Sequence, residues 1–80
     1  MKIYPISTEK TINLISKSNT IVFRVDEKST KKEIKDFIER EYGVKVEKVN
    51  TSIDFNGKKA YVKLKKEYSA MDLASKLKIL

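Results

Sequence analysis

Eighty residues leave room for one hydrophobic core, and 40% hydrophobic against 36% charged residues suits a single core under a heavily charged surface. Cysteine and histidine are both absent, which excludes disulfides, thiolate metal sites and the commonest general base. The net charge of +7 is uneven: four cations against one anion in residues 1–25, seven against eight in 26–54, and seven against two in 55–80, so the basic ends point to an anionic partner, nucleic acid above all.

No repeat, linker or low-complexity stretch interrupts the chain. A short edge strand is expected over Lys2–Tyr4. A first helix is expected after Pro5, with Ser7 or Thr8 as its cap and Glu9 in the first turn, where the helix dipole favours an anion. Ile12 and Ile15 follow at helical spacing, Lys17 suits the C-terminal end, and Asn19 stops the helix. Thr20–Val25 is β-branched and aromatic, hence a strand. Ile21, Phe23 and Val25 share one of its faces, Val22 and Arg24 the other.

Thr30 and Glu33 have capping-box spacing for a second helix, with Ile34, Phe37, Ile38 and Tyr42 as its apolar stripe and Gly43 as its stop. Lysines, Arg40 and acids alternate on its remaining face, the pattern of a solvated surface with i,i+4 pairs. Val44–Phe55 reads as a strand whose alternation slips at Glu47-Lys48, so a bulge or bend is expected there. Asn56-Gly57 signals a hairpin. Lys58–Lys65 returns as a strand with Ala60, Val62 and Leu64 inward and Lys59, Tyr61, Lys63 and Lys65 outward. Ser69 and Asp72 cap a last helix with Ala70, Leu73, Ala74 and Leu77 as its stripe.

A strand–helix–strand crossover makes its two strands parallel, and the Lys58–Lys65 strand can enter between them, antiparallel to both. The expected fold is α+β. It is a small two- or three-layer sandwich of three helices on a three- to four-stranded, mainly antiparallel sheet with a split β-α-β unit, in a single domain over residues 1–80.

Catalysis is not expected. The acids are scattered among lysines, and the two glycines, Gly43 and Gly57, lack phosphate-loop context. No cofactor or small-molecule substrate is implied. The longest apolar runs, such as Ile21-Val22-Phe23, are far too short for a bilayer, and no signal peptide is evident, so a cytoplasmic protein without membrane contact is expected. What remains is a basic sheet face: Arg24, Lys59, Tyr61, Lys63 and Lys65, joined by Asn50 and Ser52 from the neighbouring strand. Lysine offers point charge to phosphates, arginine a bidentate fork, and tyrosine a ring for a ribose or unpaired base. Alternatively the first or last helix covers part of this face, leaving Tyr61 in the core with lysines snorkelling from it. Tyr61 is alone on that face, with Phe23 and Phe55 expected to point the other way, so recognition of folded RNA by shape and backbone fits better than single-strand reading.

Four segments resemble the archaeal form of the universal large-subunit ribosomal protein L23 family. Pro5-Ile6-Ser7-Thr8-Glu9-Lys10 is similar to the family's opening motif, and Thr20–Asp26 to its first strand. Lys32-Glu33-Ile34 through Gly43-Val44-Lys45-Val46 and Val49-Asn50-Thr51 are similar to its central run. Lys58-Lys59-Ala60-Tyr61-Val62-Lys63-Leu64, with Leu73 beyond, is similar to its closing signature. The resemblance implies a structural protein of the large ribosomal subunit that binds its 23S rRNA beside the polypeptide exit tunnel. It implies the neighbouring protein L29 as a partner, and docking of the signal recognition particle and nascent-chain chaperones at the exposed side. Carried over by motif, the candidate RNA contacts are Thr8, Glu9, Lys10, Asn50, Thr51, Lys58, Lys59 and Lys63; Arg24 and Lys65 join them from the strand facing. Glu9, an anion in a basic motif, either orients Lys10 or caps the helix. Bacterial members carry a long basic loop in the hairpin, where this chain has Asp54–Lys58, so the resemblance transfers the surface role alone. Two other readings compete: a free-standing RNA-binding translation regulator, and a protein–protein adaptor whose charge serves solubility.

Overall fold

The alternation along residues 57–64 sets the architecture. In the computed structural model, which describes residues 2–79, the order is β1 (Ile3–Pro5), α1 (Glu9–Ser18), β2 (Thr20–Val25), α2 (Lys31–Tyr42), β3 (Val46–Asp54), β4 (Gly57–Leu64) and α3 (Ala70–Lys76). The strands form one sheet in the order β1-β2-β4-β3, each neighbouring pair antiparallel. β4 therefore sits between β2 and β3 and completes the split β-α-β unit. The α+β fold expected from the sequence is the one found, including the short edge strand.

Inward from β4 point Ala60, Val62 and Leu64, all at most 1% exposed. They meet Ile21 and Phe23 on one side and Val46 and Val49 on the other. Ile34 and Ile38 of α2, Ala70, Leu73 and Ala74 of α3, and Ile15 of α1 close the core over this inner face. Val46 and Val49 are three residues apart, so a regular strand would turn them to opposite faces. The register shifts between Val46 and Lys48, where the slip in alternation predicts a bulge. The extra residue lets both valines face the core and turns Lys48 outward.

The hairpin turns one residue earlier than an Asn-Gly turn would. Asp54 pairs with Gly57, leaving Phe55 and Asn56 as the turn. A turn with Asn56-Gly57 at its centre would need positive φ at both. Here Gly57 alone has it, at 119°, and the Asp54 carboxylate accepts the Asn56 N–H at 2.9 Å.

Helix ends follow their chemistry. Thr30 and Glu33 form the expected reciprocal box on α2, and Gly43 closes it with φ 65°. On α1 the cap is Thr8, and the returning partner is Thr11, whose Oγ1 accepts the Thr8 N–H at 2.8 Å. Glu39 of α2, read from the sequence as solvated, accepts the Val46 N–H at 2.8 Å and fixes the start of β3.

The least foreseeable contact is made by Asn19. It ends α1 in the left-handed conformation, φ 52°, which asparagine tolerates better than most residues. Its Nδ2 donates to the carbonyls of Tyr68 at 2.9 Å and Leu64 at 3.2 Å, and its Oδ1 accepts the Ala70 N–H at 2.7 Å. One side chain thus ties the end of α1 to the end of β4 and the start of α3. We expect Asn19→Ala to destabilise the protein by about 2–3 kcal/mol, since backbone groups lose their partners and a Cβ without local hydrogen bonding occupies a left-handed position. Asn19→Gly should recover the backbone part alone, about 1 kcal/mol. Urea denaturation of the three proteins measures both steps, and equal stability of wild type and Asn19→Gly would mean that the side-chain bonds contribute nothing.

Candidate nucleic-acid interface

The outward residues of β4 are Lys59, Tyr61 and Lys63. Their cross-strand partners on β2 are Arg24, Val22 and Thr20, and on β3 Ser52, Asn50 and Lys48. Cross-strand partners project from the same side of a sheet, so this outer face gathers Arg24, Lys48, Lys59 and Lys63 around one tyrosine. Tyr61 is half-buried and Val22 beside it is 1% exposed, so part of the face is covered, as one of the two sequence readings allowed. α1 packs against β2 and contributes Leu14 to this side. Two hollows flank the ring and share Leu14 and Tyr61 as walls. The larger, about 370 Å³, is lined by Lys48, Asn50 and Lys63; the smaller, about 240 Å³, by Thr8, Lys10, Arg24, Asn56 and Lys59.

The cations are not left to themselves. Asp54 sits between two of them, with Oδ1 3.2 Å from Arg24 Nη1 and Oδ2 3.4 Å from Lys59 Nζ. The Lys59 ammonium also lies 6.0 Å from the Tyr61 ring centre, at the outer limit of a cation–π contact. Desolvation pushes the Asp54 carboxyl up, but the Asn56 N–H, the hydrogen bond and charge of Arg24, and Lys59 outweigh it, and its pKa lies below the ordinary aspartate value. At the other end Lys63 and Lys48 are direct cross-strand partners, an unfavourable placement of like charges. Glu47, the bulge residue, offsets it at 3.6 Å from Lys63.

The structure brings together Thr8, Lys10, Arg24, Asn50, Lys59 and Lys63 of the residues singled out from the sequence. Glu9 is exposed in the first turn of α1; among the described residues no ion pair joins it to Lys10, and the cap belongs to Thr8 and Thr11. Thr51 lies opposite Ala60, in the inward register, yet also lines the larger hollow. Lys58 is also in the inward register, and its ammonium donates to the Ser29 carbonyl at 2.6 Å. Lys65 lies just past β4, exposed, with its backbone N–H on the Lys45 carbonyl. The sequence does not single out Lys48, Asp54 or Glu47. The slip in alternation at Glu47-Lys48 was the signal available for two of them; Asp54 could be recognised only once β2 lay two strands away on the same face.

A family model described as Ribosomal protein L23 matches residues 1–71. The chain belongs to the ribosomal protein L23 family. The matched stretch takes in every residue singled out for the interface. Large ribosomal subunit protein uL23 of Pyrobaculum aerophilum is 58% identical over 74 residues, which cover 91% of each of the two chains. This L23-family chain is accordingly a structural protein of the large ribosomal subunit, not an enzyme, and works on the ribosome in the cytoplasm. Its relative is archaeal, as was the form of L23 that the sequence resembled. Among the described residues no helix is long and apolar enough to cross a membrane.

The position of Asp54 has a pH signature. A carboxyl with a folded pKa below its unfolded value adds stability above the unfolded pKa, and that stability is lost as pH falls through the folded value. Thermal melts between about pH 2 and pH 6 should therefore show stability rising with pH, and Asp54→Asn should flatten part of that rise. An unchanged acid limb in Asp54→Asn would show that the pairing with Arg24 and Lys59 does not persist in solution.

Proposed function

We propose that this chain binds 23S rRNA of the large subunit through the outer sheet face and the adjoining N-terminal end of α1, beside the polypeptide exit tunnel. The observation that carries the reading is the grouping of Arg24, Lys48, Lys59 and Lys63 with Thr8, Lys10 and Asn50 on one side of the molecule, around two open hollows. The opposite side is closed by α2 and α3. Lysines at this spacing suit phosphates that follow a folded backbone, and the polar groups between them suit sugar and phosphate oxygens. Asp54 and Glu47 hold the long cationic side chains in place before binding, which lowers the ordering cost on contact. Phosphates then replace the carboxylates as partners or share the cations with them.

With one side on rRNA, the exposed face of α2, which mixes Lys31, Lys32, Lys35 and Arg40 with Glu33, Asp36 and Glu41, stays free for protein partners. We assign to that side the packing of L29 and the docking of the signal recognition particle and nascent-chain chaperones. The family resemblance supports this assignment, and the balanced charge of the helix is compatible with it.

Charge reversal of Lys59 and Lys63 together should weaken binding to deproteinised large-subunit rRNA by roughly 1–3 kcal/mol or more, as charge-assisted contacts are lost. The salt slope should fall by about 1 for each phosphate contact removed. Filter binding over a potassium chloride series reads both. A double reversal that binds rRNA like the wild type would refute the interface.

A further inference from the structure

Phe55 is the most exposed large apolar side chain among the described residues, at 100%, and it stands at the tip of the β3–β4 hairpin. Scattered surface hydrophobics are ordinary, but a fully exposed phenylalanine in a two-residue turn, where polar residues are the rule, with Ile53 also exposed two residues before it, buries no surface in the fold. The tip is nonetheless held. Phe55 is bracketed by Asp54 and Asn56, which are hydrogen-bonded to each other at 2.9 Å, and the same Asp54 carboxylate binds Arg24 and Lys59. A Cβ at Gly57, the residue that closes the turn, would come within 4.0 Å of the Arg24 side chain. An aromatic ring is thus presented on an ordered turn whose base is a pair of cations.

We propose that Phe55 stacks on an unpaired base of the RNA while Arg24 and Lys59 hold neighbouring phosphates, so that the hairpin tip pins one extruded nucleotide. The inference rests on the rRNA-binding reading and adds a contact of a different physical kind. Charge complementarity favours RNA over an apolar protein pocket: Lys10, Arg24 and Lys59 line the hollow that Asn56 also borders, with Asp54 as the one anion among them. A nucleotide offers both a ring face and an adjacent anion. A hydrophobic pocket offers no partner for the cations. Because the turn's backbone is tied to the Asp54 carboxylate, the entropy lost when the ring engages is mainly that of the ring's own torsions.

Stacking and phosphate contact separate experimentally, since stacking releases no counterions. Full-length wild type, Phe55→Ala, Phe55→Leu, Phe55→Trp and Lys59→Ala would be compared on deproteinised large-subunit rRNA by filter binding over a potassium chloride series. Thermal melts would verify that each variant is folded; a wholly exposed residue should leave them unchanged. Phe55→Ala is expected to bind roughly 5- to 150-fold more weakly with the salt slope of the wild type. Phe55→Trp should restore the affinity, and Phe55→Leu should not. Full recovery by Phe55→Leu would overturn stacking in favour of burial of a plain apolar group. Unchanged affinity in Phe55→Ala, with Lys59→Ala weakened and its slope reduced, would overturn the inference and leave the rRNA interface standing. Failure of the wild type to bind rRNA would overturn both.

Discussion

The period-two alternation of β4 is the constraint on which the molecule depends. β4 is the strand that pairs on both sides within the split unit, so the placement of its residues fixes that of β2 and β3. Ala60, Val62 and Leu64 are buried under the helices; Lys59, Tyr61 and Lys63 emerge on the other side. A slip of one residue would send the lysines into the core and the valine and leucine into water. Core burial therefore enforces the geometry of the cationic face, and the register that stabilises the fold is the register that builds the face proposed for RNA. With a core this small, the two cannot be tuned separately.

Two anions make that face usable. Cations arrayed on a sheet repel one another, and long flexible side chains lose entropy when a ligand orders them. Asp54 and Glu47 answer both difficulties, at the two ends of the face. Ion pairs this exposed add little to stability. Their physical effect is on the shape of the charge: Arg24 and Lys59 converge on one carboxylate, at the place where the hairpin turns. The acids of the large-subunit protein are thus part of its basic surface, and a reading of net charge misses them.

Much of the fold was legible because local rules and tertiary packing agree. The Thr30–Glu33 box, the glycine that ends α2, the apolar stripes and the strand faces all depend on residues a few positions apart. The bulge was legible for the same reason, as the slip at Glu47-Lys48 is local. The hairpin turn was read one residue late because Asn-Gly is a strong signal in isolation, and the Asp54 carboxylate, already committed to Arg24, draws the turn back towards itself. Lys58 was counted with the basic face through its motif, although its position opposite Ile53 puts its stem on the inner side, where it reaches the Ser29 carbonyl.

By itself the sequence determined the element types, the α+β topology, the split of β4 into an apolar and a cationic face, and the family. Period and capping are short-range properties, and the family's motifs are contiguous words. Tertiary structure alone decided which charges meet. Asn19 reaches 51 residues along the chain to Ala70, and Arg24 reaches 30 to Asp54. Such contacts leave no local trace, because the geometry of a hydrogen bond is set by where the backbone returns in space. Only the closed sheet brings Arg24 and Lys59 to 3.2 and 3.4 Å from the Asp54 carboxylate, the range in which charge-assisted hydrogen bonds act.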